Sequence, residues 1–129
     1  MTGREKILIV DDDPLVLKTV SRLLSSRGYQ ASTAQSGRKA IQMVAKHDFD
    51  LVLSDIRMPE LDGVETVQII KEHYDHHGKT CAFLFITGYS DDKRTEAAAN
   101  SGRGKVLLKP FEAEDLLENV KLQLRLTAS

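Results

Sequence analysis

Ile7-Leu8-Ile9-Val10-Asp11-Asp12-Asp13-Pro14 is the stretch that decides the fold. Four apolar residues run without a polar break, three carboxylates follow, and a proline comes last. An apolar run without alternation suits a strand whose two faces are both covered by helices, the condition of a parallel sheet. Asp13 followed by Pro14 is the pairing favoured at a helix N-cap and first helical position. The stretch therefore reads as a buried strand that delivers acidic groups to the start of a helix.

Outward from it, short apolar runs alternate with segments of helical period. Strands are expected at Lys6–Val10, Tyr29–Ala34, Asp50–Ser54, Ala82–Thr87 and Lys105–Leu108. Leu51-Val52-Leu53 and Ala82 to Ile86 are as apolar as the first run, so these three strands belong at the centre. Tyr29–Ala34 is more polar and Val106-Leu107-Leu108 is short, which suits the edges. The result is a five-stranded parallel α/β sheet of order 2-1-3-4-5.

The helices follow from stripes and caps. The first starts at Asp13 and Pro14, buries Val16, Val20, Leu23 and Leu24, and ends at Gly28. The second is capped by Ser36 and offers Ala40, Ile41, Val44 and Ala45; the last offers Leu116, Leu117, Val120 and Leu124. A helix between Asp91 and Ser101 has only Ala97, Ala98 and Ala99 to bury and is expected to be loosely held. Tyr74 to Lys79 reads as a polar connecting loop rich in histidine.

A chain of 129 residues, 41% hydrophobic and 29% charged, suits one domain over 1–129. A net charge of −1 supplies no basic field for nucleic acid or an anionic membrane. Ile7 to Val10 is too short for a signal-peptide core, and no apolar stretch is long enough to cross a bilayer. Cys81, the single cysteine, reads as a small core residue. Together these favour a cytoplasmic protein with no direct nucleic-acid or membrane contact.

In such a sheet the strand C-termini share one edge, where ligands bind at the point of reversed strand order. Asp11 and Asp12 follow strand 1, Asp55 follows strand 3, Thr87 ends strand 4 and Lys109 follows strand 5. Three clustered carboxylates either take up protons or hold a cation, and Mg²⁺ suits all-oxygen ligands. Asp12, Asp55 and a backbone carbonyl can supply the protein's share of its shell. With Lys109 and Thr87 facing the transferring group, Asp55 can attack a phosphorus atom. Asp13, by contrast, reads as a helix cap.

These pieces, with Met58-Pro59, Asp62-Gly63 and Lys109-Pro110-Phe111 in this order and spacing, resemble the receiver domain of bacterial response regulators from about Lys6 to Leu124. The resemblance implies a flavodoxin-like (βα)5 three-layer sandwich. It implies Asp55 as phospho-acceptor, Asp11 and Asp12 as the acidic pair serving Mg²⁺, and Arg57 as a metal ligand through its carbonyl. Thr87 and Lys109 become the phosphate-sensing pair. It also implies a cis Lys109–Pro110 bond and a phosphohistidine donor, either a sensor histidine kinase or a histidine phosphotransfer protein. Such a domain catalyses its own phosphorylation and dephosphorylation and is not an enzyme in the ordinary sense. Its output partner is unnamed, and a phosphorylation-dependent homodimer stays open. No output domain follows Ser129, so the chain is a stand-alone regulator or the receiver of a longer protein.

The chain departs from that pattern at Val106, where the family commonly has Tyr or Phe, so the usual coupling from Thr87 outward is weakened and Tyr89 is a candidate substitute. A receiver-like interaction domain whose output ignores phosphorylation is therefore an alternative. A phosphatase of the haloacid dehalogenase type would use Asp11 as nucleophile and Asp13 as acid/base, but Leu15 breaks its motif and Asp55 is left unexplained. A flavodoxin-like cofactor domain would need Gly, Ser and Thr where Asp11 to Asp13 stand. His73 and His77 are spaced to meet on one helix face, with His76 nearby, yet no Cys or acidic cluster completes a zinc site there. His47 reads as a surface residue.

Overall fold

The computed structural model describes residues 5–88, 98, 105–109 and 111–127. In chain order the described elements are β1 (Lys6–Val10), α1 (Pro14–Ser26), β2 (Gln30–Ala34), α2 (Gly37–Lys46), β3 (Leu51–Asp55), α3 (Gly63–His76), β4 (Ala82–Thr87), β5 (Lys105–Leu108) and α4 (Ala113–Thr127). The strands form one parallel sheet in the order β2-β1-β3-β4-β5, as expected.

Alternate strand residues point to opposite faces and build two cores. Leu8, Val10, Val52, Phe83 and Phe85 meet Ala40 and Val44 of α2 and Val67, Ile70 and Tyr74 of α3. Ile7, Ile9, Leu51, Leu53 and Leu84 meet Leu17, Val20 and Leu24 of α1 and Leu116, Leu117 and Val120 of α4. Each fully buried Leu or Ile side chain contributes about 1.5–3 kcal/mol, so the three central strands hold most of the apolar stabilisation. Arg27 at the end of α1 reaches Glu114 of α4 at 3.2 Å across that second face.

The caps are those the composition asks for. Asp13 accepts from the N–H of Leu15 at 2.9 Å and Ser36 from that of Lys39 at 3.1 Å. α3 opens on a reciprocal capping box, Asp62 with Glu65.

Several expectations need correction. β2 starts at Gln30 rather than Tyr29, and β3 runs Leu51–Asp55 rather than Asp50–Ser54, because the N–H of Ile56 bonds the Ile86 carbonyl and extends the pairing. In α1 Leu17 is buried while Val16 and Leu23 are only half-buried, and in α2 Ala45 is exposed. Tyr74, Asp75 and His76 are not loop; they form the last turn of α3. Tyr74 is buried there, its hydroxyl accepting from the N–H of Phe49 at 2.7 Å and facing the Phe49 carbonyl at 3.3 Å. Of the helix expected between Asp91 and Ser101, Ala98 is helical and fully buried; the rest lies outside the described residues, as do Tyr89 and Pro110.

The Tyr74 hydroxyl supplies a testable cost. Tyr74→Phe leaves the buried Phe49 N–H without its acceptor, a loss of about 1–3 kcal/mol. Urea unfolding should show a lower midpoint at unchanged slope; an unchanged midpoint would mean that the hydroxyl contributes nothing.

Candidate functional site

At the C-terminal edge of the sheet Asp11 follows β1, Asp55 ends β3, Thr87 ends β4 and Lys109 follows β5. Asp11, Asp55 and Thr87 are buried polar residues. Asp12, next to Asp11, is exposed. Each of Asp11, Asp12 and Asp55 offers a carboxylate oxygen, and these three oxygens lie within 4.8 Å of one another.

The acidic groups are held unequally. Asp11 Oδ1 accepts from the N–H of Asp13 at 2.9 Å, while its Oδ2 is buried with no hydrogen-bond partner. Lys109 Nζ stands 3.6 Å from that oxygen. Asp55 Oδ1 accepts from the N–H of Ile56 at 2.8 Å, and the Arg57 N–H also bonds the carboxylate. Burial first, then the charge of Asp11, pushes the Asp55 carboxyl up to about 6, against the pull of Lys109 and the two backbone N–H groups. Burial also raises Asp11, opposed by the Asp13 N–H and Lys109. An orphaned buried oxygen within a set of oxygen donors fits a hard divalent cation and leaves it a position to fill.

Two features of this edge are backbone devices. The Lys109 N–H bonds the Thr87 carbonyl at 2.6 Å, so the ends of β4 and β5 are tied together. The loop after Asp55 closes when the Gly63 N–H bonds the Ile56 carbonyl at 2.8 Å. Gly63 is thereby pressed on β3, and a Cβ there would collide with the Asp55 carbonyl. Within the loop Glu60 adopts φ +66°, and its carboxylate lies 3.4 Å from Arg38. The buried Ser54 hydroxyl donates to the Asp55 carbonyl at 2.9 Å.

The expected acceptor, metal-binding and phosphate-sensing residues all lie among the described residues; Tyr89, the candidate substitute switch, does not. Asp11, Asp12, Asp55 and Lys109 come together; Thr87 sits beside them on β4, and Arg57 follows Asp55 with its side chain exposed. Asp13, the acid/base of the rival phosphatase reading, spends its carboxylate on capping α1. Val106 is half-buried against the core that holds Phe85 and Ala98. Cys81 is half-buried, its thiol pushed up to about 12 by burial, which keeps it an unreactive thiol. His47 is the exposed cap of α2. Sequence reasoning did not single out Ser54 or the role of Gly63. The Asp62-x-x-Glu65 capping signature was present and points to the helix that presses on Asp55.

The family model of the response regulator receiver domain matches residues 7–121. The chain is 34% identical to the response regulator MprA of Mycolicibacterium vanbaalenii over 95% of its own length and 51% of that protein. It is also 34% identical to the regulatory protein AtoC of Escherichia coli over 98% of its length, but only 26% of that relative. It thus spans about half of the first relative and about a quarter of the second. Among solved structures, the signal receiver domain of an HD domain-containing protein from Pseudomonas fluorescens superposes with a TM-score of 0.85 at 29% identity, covering 95% of each chain. The chemotaxis protein CheY4 of Vibrio cholerae does so with 0.83 at 29%, covering 93% of this chain and 98% of that one.

Proposed function

This chain belongs to the response regulator receiver family, and from that premise we propose that it takes a phosphoryl group on Asp55 from a phosphohistidine and so relays a signal. The observation that carries the reading is the buried Asp11 Oδ2, which has no hydrogen-bond partner and faces Lys109 at 3.6 Å, in the carboxylate cluster that Asp11 forms with Asp12 and Asp55.

Asp11, Asp12, Asp55 and the Arg57 carbonyl are the groups that would hold Mg²⁺, which when bound supplies positive charge against the phosphoryl oxygens. Asp55 supplies the nucleophile, and the two backbone N–H groups on it keep it aimed out of the sheet edge. The P–N bond of the donor breaks as the P–O bond to Asp55 forms, and the imidazole leaves with the electron pair and takes a proton. The Lys109 ammonium, now facing Asp11, turns to the charge gained at Asp55. The Thr87 hydroxyl bonds a phosphoryl oxygen. Because the Lys109 N–H already bonds the Thr87 carbonyl, the two residues shift as one unit, and the phosphoryl group selects between two arrangements a few kcal/mol apart.

The donor in this reading is a sensor histidine kinase or a histidine phosphotransfer protein, and the output is a partner or attached domain that reads the new arrangement. Val106 leaves no aromatic side chain to rotate at that position of β5, so the shift is expected to leave by another surface.

The test is intact-mass spectrometry after incubation with acetyl phosphate, with Mg²⁺ or with a chelator. One phosphoryl adduct, formed only with Mg²⁺ and mapped to the peptide that contains Asp55, is expected. An adduct on Asp11, or none at all, overturns the proposal, the first in favour of a phosphatase-like use of the acidic pair and the second in favour of an interaction domain indifferent to phosphorylation.

A further inference from the structure

The other end of α3 carries three imidazoles in five residues, His73, His76 and His77. His73 and His77, one helical turn apart, have ring centroids 4.4 Å apart, and those of His76 and His77 are 5.4 Å apart. Spacing alone does not make a metal site, but the hydrogen bonding of His77 adds an independent sign. Its Nδ1 lies 2.8 Å from the His73 carbonyl oxygen. A carbonyl only accepts, so Nδ1 carries the proton, and Nε2 of the neutral ring keeps its lone pair free. A backbone carbonyl behind one ring nitrogen is the support that metal-ligating histidines usually have, because it fixes both tautomer and ring orientation.

The charges around the pair are permissive. The last turn of a helix carries the negative end of its dipole, which favours a cation. The ammonium groups that would repel one are engaged: Lys79 with Asp48 at 2.8 Å and Lys71 with Asp75 at 3.4 Å. The imidazoles are nitrogen donors of borderline softness, which discriminate against Mg²⁺ and favour Cu²⁺, Ni²⁺ and Zn²⁺. This sets the pair apart from the all-oxygen cluster at the opposite edge of the sheet.

We infer that His73 and His77 form a solvent-open, two-imidazole chelate for a divalent transition-metal ion, its remaining positions filled by water. The site is independent of phosphoryl transfer at Asp55. It differs from a closed tetrahedral zinc site, because among the described residues no set of three or more His, Cys, Asp or Glu ligand atoms converges at this end of α3.

Copper is the probe, because it binds nitrogen ligands most tightly in the divalent series and reports them by electron paramagnetic resonance. Tag-free protein with Mg²⁺ in excess is titrated with less than one equivalent of Cu²⁺. The wild type should show nitrogen hyperfine structure from two imidazoles. His73→Gln and His77→Gln should each remove one of them and weaken binding by at least about tenfold, while His47→Gln changes neither. Unchanged circular dichroism shows that the variants fold. A wild-type spectrum with oxygen ligands only, or variants that keep the wild-type spectrum and affinity, would sink the proposal.

Discussion

In the Asp55→Asn variant we expect no phosphoryl adduct at all and, in metal-free protein at pH 7, a melting temperature roughly 5 °C above that of the wild type. The first result follows because an amide is not a nucleophile toward phosphorus. The second follows from linkage. Asp55 titrates at about 6 in the folded protein against an ordinary 3.8, so the folded state holds its proton more tightly than the unfolded chain does. Stability from this group is therefore present below the unfolded value and is lost as pH rises from about 4 through about 6. Above that range the ionised carboxylate is a standing penalty on the order of 2 kcal/mol, which the neutral amide does not carry.

The gap between variant and wild type should vanish near pH 4, where Asp55 is protonated, and should close in saturating Mg²⁺, where the cation meets the charge. Melting curves with and without chelator at the two pH values decide the matter. A variant less stable than wild type at pH 7 without metal would show that Asp55 is not held under electrostatic strain.

The second large effect concerns Gly63. Its φ is not among the positive ones, which belong to Gly28, Gly78 and Glu60. It is glycine because of proximity, since a Cβ would meet the backbone of Asp55 and Ile56. A flexible side chain could yield, but the end of a central strand cannot. Gly63→Ala is therefore expected to cost about 3 kcal/mol, a large part of the 5–15 kcal/mol typical of a domain. It should also slow labelling, because the atoms displaced belong to Asp55 itself.

Gly78→Ala is the comparison. Gly78 has φ +67° with open space around it, so alanine there meets only the left-handed penalty of about 1–2 kcal/mol and leaves labelling intact. Equal costs at the two glycines in urea unfolding would mean that α3 can back away from β3.

The sheet and the set of residues gathered at its edge were readable because both rest on local pattern. Unbroken apolar runs marked β1, β3 and β4 as central, polar character and shortness marked β2 and β5 as edges, and the acidic residues stood directly after strands. Other features depend on distance across the fold. Nothing in Asp11-Asp12 says that the first is buried and the second exposed; that comes from which way the chain turns after β1. Asp55 was read as following its strand, whereas the Ile56 bond to Ile86 carries the pairing past it. The histidine-rich stretch was read as loop because its polarity outweighed one residue, Tyr74, whose hydroxyl finds Phe49 from a helix. Leu17 and Ala45 exchanged their expected exposure because a stripe fixes a helix face only to within one residue.

The strand order also sets a timetable for folding. β1 lies between β2 and β3, and Ile7 faces Ala31 on one side and Leu51 on the other. The first pairing closes a chain of 24 positions and the second one of 44, each at an entropic cost that rises with loop length. A nascent chain that has completed β2 but not β3 therefore holds its most apolar strand with one edge bare, open to any other chain that offers a strand. Asp11 follows one strand of the later pairing and Asp55 ends the other, so the acidic cluster is assembled only when that exposed interval ends.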